Sequence, residues 1–133
     1  MIQKNCAPLL VNPCKFCLNT LTMDEIYNPV LSLELAGGNQ QLADQMFDML
    51  LNELPVLRDQ MNDAFAASDM EVMQSHVHKI NGSTRYCGVP ALYDAADTLE
   101  RYMKAGDMDP ATLQNLVEQV NMAISDLLDY RKS

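Results

Sequence analysis

The strongest constraint on the fold is the spacing of apolar residues, which recur every three or four positions over most of the chain. This is the period of an α-helix with one buried face, whereas a half-buried strand would alternate apolar and polar residues. One long segment shows the pattern at Met46, Leu50, Leu54, Leu57, Met61 and Phe65. The last segment shows it at Leu113, Val117, Val120, Ile124 and Leu127. The pattern predicts helices and favours no strand.

Helix-starting and helix-ending residues divide these periodic segments. Asn28 followed by Pro29 predicts the start of a short helix, which a pair of glycines ends. Asn39 is expected to cap a long second helix, in which Pro55 should produce a bend. Three later boundaries are predicted at a Ser68–Glu71 capping box, at Gly88 with Pro90, and at Asp109 with Pro110.

Four amphipathic helices joined by short loops are expected to pack as an antiparallel up-down-up-down bundle. We therefore predict an all-α fold, a four-helix bundle over residues 28–133 with a short extra helix at its N-terminal end. Residues 1–27 lack sustained periodicity and are expected to form a leader or linker. The chain has 133 residues, 48 % of them hydrophobic, which suits one domain with its own core. A monomer is expected, because such a bundle buries its core without a partner.

The chain has a formal charge of −9, and residues 28–133 carry all of it, because residues 1–27 hold two basic and two acidic groups. Nucleic acid and anionic membrane are therefore poor partners, since phosphate groups are bound by basic surfaces. No apolar run approaches the ~18 residues that would span a bilayer. The apolar stub "APLLV" is too short for a signal peptide, so a cytoplasmic protein is expected.

The four cysteines are Cys6, Cys14, Cys17 and Cys87, and "CKFC" forms one Cys-x-x-Cys motif. A zinc site of this type needs two such pairs, and a redox motif needs a strand-to-helix setting that the leader does not offer. We interpret the cysteines as inert thiols, with metal or redox use as the alternative. The sequence does not assign a role to the three cysteines of the leader.

The two histidines lie on the third predicted long helix, whose apolar stripe consists of Met73, Val77, Ile80, Thr84 and Cys87. His76 falls roughly 60° from the centre of this stripe, at its boundary, and His78 roughly 140° away, on the water-facing side. Gly82 lies on the same face as His78, one turn further along. Glycine inside a helix costs up to ~1 kcal/mol relative to alanine.

An exposed histidine alone is commonly just a solvated side chain, but Gly82 favours a functional interpretation. A missing side chain beside an imidazole leaves room for another molecule's backbone or for a phosphoryl group. Imidazole titrates near pH ~6.5, so its neutral, nucleophilic form is available at physiological pH. Lys79 and Arg85 flank the position and could offset the charge of a phosphoryl group.

The segment "HVHKINGSTRYCGVPALYDAADTLE" resembles the signature of histidine-containing phosphotransfer (HPt) domains. Its "GVP" turn and the upstream "LLNELPVLRDQM" are similar to the C-terminal HPt domain of hybrid sensor kinases of the BarA type. The resemblance covers roughly residues 28–131. It implies that His78 is phosphorylated, that Gly82 gives access to it, and that Ser83 is the small residue beside the glycine.

Asn81 stands where the family commonly has a lysine. It can still donate hydrogen bonds, while Lys79 or Arg85 is left to supply positive charge. Glu100 matches the family's "LE" and either hydrogen-bonds near the histidine or is solvated.

The resemblance implies a phosphorelay intermediate, which accepts a phosphoryl group from an aspartate in one receiver domain and passes it to another receiver domain. Receiver domains of response regulators hold the Mg²⁺, so no cofactor or metal is expected in this chain. Localisation in the cytoplasmic part of a membrane-bound sensor kinase is compatible with the resemblance. The identity of the receivers and the signal stays open, as does whether the chain is free-standing or part of a hybrid kinase.

Three alternatives have weaker support. A kinase dimerisation hairpin carries an acidic residue after its histidine and a proline soon after, whereas here Lys79 follows and the next proline is Pro90. The sequence also has no glycine-rich ATP lid, so autokinase activity is not expected.

A metal site shared by His76 and His78 is disfavoured, because side chains two positions apart point about 200° apart. A non-catalytic helical adaptor or interaction module remains the main alternative, but it does not explain Gly82.

Overall fold

The computed structural model describes residues 23–106 and 108–132, and all of the regular secondary structure in these ranges is α-helical. The helices are α1 (Met23–Ile26), α2 (Pro29–Leu35), α3 (Gln40–Ala66), α4 (Met70–Thr84), α5 (Pro90–Ala105) and α6 (Pro110–Lys132). The all-α prediction is confirmed. The three leader cysteines, Cys6, Cys14 and Cys17, lie outside the described residues.

Local hydrogen bonds start most helices where the sequence predicts. The side-chain oxygens of Asn28 and Asn39 accept the backbone N–H groups of Leu31 and Leu42, each at 3.1 Å. The Asp109 carboxylate accepts the backbone N–H of Thr112 at 3.0 Å. Such caps satisfy backbone donors that the first helical turn leaves without a partner. Helix α3 runs continuously through Pro55.

The capping box predicted at Ser68 and Glu71 is wrong by one residue. The cap of α4 is Asp69, whose carboxylate accepts the backbone N–H of Val72 at 3.3 Å. Ser68 instead has a φ of +57° and donates its backbone N–H to Phe65. It therefore belongs to the turn that ends α3, and two neighbouring residues of capping type made the sequence ambiguous at this point.

Gly88 does not close α4, which already ends at Thr84. It lies where the turn before α5 meets the start of α2. The carbonyl of Gly88 accepts the backbone N–H of Asn28 at 2.7 Å. A Cβ at Gly88 would lie 2.4 Å from the backbone oxygen of Asn28 and 2.7 Å from the backbone nitrogen of Ser32. Glycine is required here because two backbone segments approach closely.

The four long helices form the predicted bundle. Each packs against the next along the chain, and α6 packs against α3 to close the bundle. Hydrogen bonds from Ser83 to Glu53 and from Cys87 to the carbonyl of Met46 show that α3 and α4 run antiparallel. The core is filled by large apolar side chains with almost no exposure: Leu50, Leu54, Met61, Met73, Ile80, Leu92, Leu99, Ile124 and Leu127.

The packed unit extends into the segment that the sequence assigned to the leader. Helix α1 packs against α5 and α6. Tyr27 is buried, and its ring stacks on Phe47 with centroids 4.2 Å apart. The predicted end of the leader at residue 27 leaves out α1 and Tyr27, because the apolar pair Ile26 and Tyr27 is too short to show a helical period. Within the described residues, no helix is both long and apolar enough to cross a membrane.

Candidate functional site

His78 projects into solvent from the outer face of α4, with 70 % of its side chain exposed. His76 is half-buried, and its Nδ1 atom is buried without a hydrogen-bond partner among the described residues. The two histidines therefore differ in exposure as the helical geometry predicts. His78 therefore offers the more accessible ring to a second macromolecule.

The ring of His78 is oriented by Glu100, which lies on α5. The distance from His78 Nδ1 to Glu100 Oε2 is 2.5 Å. Oε2 also lies 3.2 Å from Lys104 Nζ, and Oε1 accepts a hydrogen bond from Asn81 Nδ2 at 2.5 Å. Of the two interpretations that the sequence left open for Glu100, the structure shows the hydrogen bond to the histidine.

Glu100 is a carboxylate with very little exposure, and its surroundings favour the ionised form. Burial raises its pKa, but the hydrogen bonds from Asn81, His78 and Lys104 and the charge of His78 outweigh burial, so the pKa lies below its ordinary value. An ionised carboxylate only accepts hydrogen bonds, so the Nδ1 atom of His78 must carry the proton. In the neutral form of the ring, the Nε2 atom then holds the free lone pair and is the nucleophilic nitrogen.

Asn81 supports this arrangement from inside the bundle. Its side chain is buried, and its Nδ2 atom donates to both Glu100 and Asp97, the latter at 3.2 Å. The predicted hydrogen-bond donation by Asn81 is thus directed at two carboxylates of α5. Both amide hydrogens are used there, so neither is left for a group bound on the exposed side of His78.

Gly82, Lys79 and Ser83 share one surface pocket with His78. The pocket has a volume of about 360 Å³ and is completed by Glu53 and Leu57 of α3. A Cβ added at Gly82 would meet no atom within 4 Å, so the glycine leaves open space beside the ring. The Ser83 hydroxyl donates a hydrogen bond to Glu53 at 3.4 Å, which connects α4 to α3 beside the pocket.

A second pocket lies on the other side of the His78 ring and has a volume of about 410 Å³. Its lining residues are Glu71, Gln74, Ser75, His78, Glu100 and Lys104. The ring of His78 therefore stands between two pockets, and each contains one lysine. Sequence analysis did not identify Glu53, Leu57 or Lys104, because they come from neighbouring helices whose register the sequence does not reveal.

Arg85 does not flank His78 as predicted. Its guanidinium lies 5.9 Å from the centre of the Tyr93 ring, and it lines a different pocket between α2 and the start of α5. It lies seven positions after His78, which is about 10 Å along a helix. After two helical turns a side chain points in the same direction again, but it lies further along the helix axis. The sequence pattern therefore placed Arg85 on the face of His78 without placing it next to His78.

Cys87 is buried and free, and its thiol donates to the carbonyl of Met46 at 3.5 Å. Burial, with a smaller contribution from the charge of Glu53, raises the pKa of this thiol to about 11. The thiol is therefore protonated and unreactive at neutral pH. In the part of the chain that the structure describes, histidine, cysteine, aspartate and glutamate side chains form no cluster of three or more suited to a metal ion.

Similarity to known proteins shows which family the chain belongs to. The family model of the Hpt domain matches residues 45–130. The chain is 33 % identical over 97 residues to the signal transduction histidine-protein kinase BarA of Shigella flexneri, an alignment that covers 70 % of this chain and 11 % of that kinase. It is 39 % identical over 90 residues to the sensor histidine kinase GacS of Pseudomonas protegens, covering 68 % of this chain and 9 % of GacS. The chain thus spans about a tenth of the length of these curated relatives.

A solved structure shows the same fold. The crystal structure of the HPT domain from a hybrid histidine kinase of Shewanella matches with a TM-score of 0.61 at 29 % sequence identity. The match covers 79 % of this chain and 95 % of that domain. Together with the family match, this confirms the resemblance seen in the sequence: the chain belongs to the Hpt domain family, the phosphorelay intermediates of two-component signalling.

Proposed function

We propose that His78 is the residue that carries the phosphoryl group in this phosphorelay intermediate. The observation that supports this most strongly is the contact between its exposed ring and Glu100. Nδ1 lies 2.5 Å from Glu100 Oε2, which favours a proton on Nδ1 and leaves the lone pair of the neutral ring on Nε2. Gly82 adds the space that a docking protein needs to bring a reacting group up to that atom.

The proposed reaction transfers a phosphoryl group from an aspartyl phosphate of a receiver domain to His78. The Nε2 lone pair attacks phosphorus, the N–P bond forms, and the P–O bond to the aspartate breaks with its electrons returning to the carboxylate. The ring keeps its Nδ1 proton and becomes positively charged. The carboxylate of Glu100, 2.5 Å from Nδ1, stabilises that charge. Reversal of the same steps passes the group to a second receiver.

Lys79 is the cation best placed to offset the phosphoryl charge on the Gly82 side, since it lines the same pocket as His78 and Gly82. The Mg²⁺ ion of the reaction is proposed to belong to the receiver, and no cofactor is proposed for this chain. We further propose that the chain works as a cytoplasmic monomer, without binding nucleic acid and without autokinase activity.

We also propose that the receiver docks on the α3–α4 surface, defined by Met49 and Val56 on α3 and by Tyr86 just after the end of α4. These three residues are 63 %, 58 % and 62 % exposed, which is high for large apolar residues. Met49 and Val56 lie one turn before and one turn after Glu53, and Glu53 lines the His78 pocket. Exposed apolar residues at this position fit the apolar centre of a protein interface.

The test starts from a receiver domain that carries a radioactive phosphoryl group on its aspartate. The label should move to this chain, resist alkali, be lost in acid, and move on when a second receiver is added. Met49→Asp should slow the first transfer about tenfold or more, because it places a charge at the docking surface. Met122→Asp is the matched control, since Met122 is 47 % exposed on α6, away from His78.

Retention of the label on every receiver tested would refute the relay and favour the non-catalytic adaptor. Equal transfer rates for the two aspartate variants would leave the relay intact but would refute the α3–α4 surface as the docking site.

A further inference from the structure

We infer that Lys104 is a positioning residue that keeps the His78 ring neutral at rest and pairs with the phosphoryl group once it is attached. The second half of this inference rests on the proposed function, whereas the first half concerns the unmodified chain. Lys104 lies on α5, 26 positions after His78. The reasons are geometric and electrostatic.

One carboxylate oxygen serves both residues. Glu100 Oε2 lies 2.5 Å from His78 Nδ1 and 3.2 Å from Lys104 Nζ. Glu100 itself is 4 % exposed, whereas the side chains of His78 and Lys104 are 70 % and 58 % exposed. Two donors thus reach one buried oxygen from the solvent side, and they compete for its negative charge.

The charges that surround the His78 ring come from three helices. Glu53 faces it from α3, Glu71 and Lys79 from α4, and Glu100 and Lys104 from α5. Carboxylates outnumber lysines in this set, which by itself would favour protonation of the ring. Protonation would occupy Nε2 and remove the nucleophile. Lys104 opposes it, because it balances Glu100 directly and places a second positive charge close to the ring.

Phosphorylation changes how strongly His78 and Lys104 each interact with Glu100 Oε2. The ring becomes cationic and pairs more strongly with Glu100, so Lys104 is no longer needed there. A phosphoryl group carries a charge of about −1.5 to −2 at neutral pH. Lys104 lines the 410 Å³ pocket on one side of the ring and has a long flexible side chain. It can therefore turn from Glu100 to the phosphoryl oxygens.

The first test measures the protonation of the His78 ring by NMR in the unphosphorylated full chain. In Lys104→Met, the titration midpoint of His78 should move to higher pH, corresponding to a roughly three- to tenfold higher proton affinity. Methionine keeps the unbranched stem and a good helix propensity, so the helix is preserved. Lys104→Arg should restore the wild-type midpoint.

Arg101→Met is the matched control for net charge. Arg101 lies on the same helix, is 74 % exposed, and pairs with Asp97 at 3.0 Å rather than with Glu100. Its removal deletes the same charge without touching the shared oxygen, so the His78 midpoint should stay close to wild type. An equal shift in both variants, or no shift in either, would overturn the positioning role of Lys104.

The second test uses phosphoramidate as a small donor, so that no receiver is required. The lone pair of His78 Nε2 attacks its phosphorus, the donor's P–N bond breaks, and ammonia leaves with a proton from solvent. The ³¹P resonance of the product is then titrated. The second ionisation of the phosphoryl group should occur at higher pH in Lys104→Met than in wild type or Arg101→Met, because a nearby cation favours the dianion.

Identical ³¹P titrations in all three proteins would refute the proposal that Lys104 turns from Glu100 to the phosphoryl group. Neither test depends on a receiver. A chain that fails to accept label from receivers but shows both shifts would disprove the proposed relay and leave the role of Lys104 standing.

Discussion

His78→Gln is expected to accept no phosphoryl group from a phosphorylated receiver domain, whereas His76→Gln should be labelled at the wild-type rate. Glutamine has a similar length and can still donate a hydrogen bond to Glu100, so the bundle is expected to fold. Its amide nitrogen has no available lone pair and cannot attack phosphorus. The measurement is transfer of radioactive phosphate, with intact mass as an independent count of phosphoryl groups.

The His76 variant makes this comparison specific. His76 is the same residue type on the same helix, but it is half-buried and its Nδ1 atom is enclosed. A general effect of losing a histidine from α4 would appear in both variants. Labelling of His78→Gln would show that another residue is the acceptor, and loss of labelling in His76→Gln would show that the ring of His78 does not act alone.

Gly82→Leu is expected to slow transfer from a receiver at least tenfold while leaving the chain as stable as wild type or slightly more stable. Beyond the local helix backbone, no atom lies within 4 Å of a Cβ at this position, so the Cβ of a leucine is expected to meet no clash. Replacing glycine in a helix interior generally contributes about 0.5–1 kcal/mol to stability. The leucine would instead occupy the space through which a docked receiver approaches His78.

Two measurements separate these effects. Urea unfolding reports stability, and phosphorylation by phosphoramidate reports the reactivity of Nε2 without docking. We expect Gly82→Leu to react with phosphoramidate within a few-fold of the wild-type rate. Wild-type transfer rates from a receiver would mean that Gly82 has no role in access, and a large loss of stability would mean that the glycine is structural.

Features that depend on neighbouring residues in the sequence could be predicted. The caps at Asn28, Asn39 and Asp109 each join a side chain to a backbone group three residues away, so the sequence contains both partners side by side. The exposure of His78 follows from helical periodicity alone. The error at Ser68 has the same local origin, because Asp69 is an equally good capping residue and competes for the same position.

Features that depend on the register between helices could not be predicted. The hydrogen bond from His78 to Glu100 spans 22 residues and joins α4 to α5. Lys104 and Glu53 reach the site from α5 and α3, and their positions depend on how side chains interlock in the core. Asn81 was expected to donate hydrogen bonds, but its partners could not be predicted, because they are two carboxylates of α5.

The most direct measurement is an NMR assignment of the phosphorylated atom. The chain, labelled with ¹⁵N in its histidines, is phosphorylated and its ring nitrogens are identified. We expect the N–P bond at Nε2 of His78, with a proton retained on Nδ1 and His76 unchanged. A phosphoryl group on Nδ1 of His78, on His76, or on a residue other than histidine would contradict the proposal that Glu100 holds the ring with Nε2 ready to react.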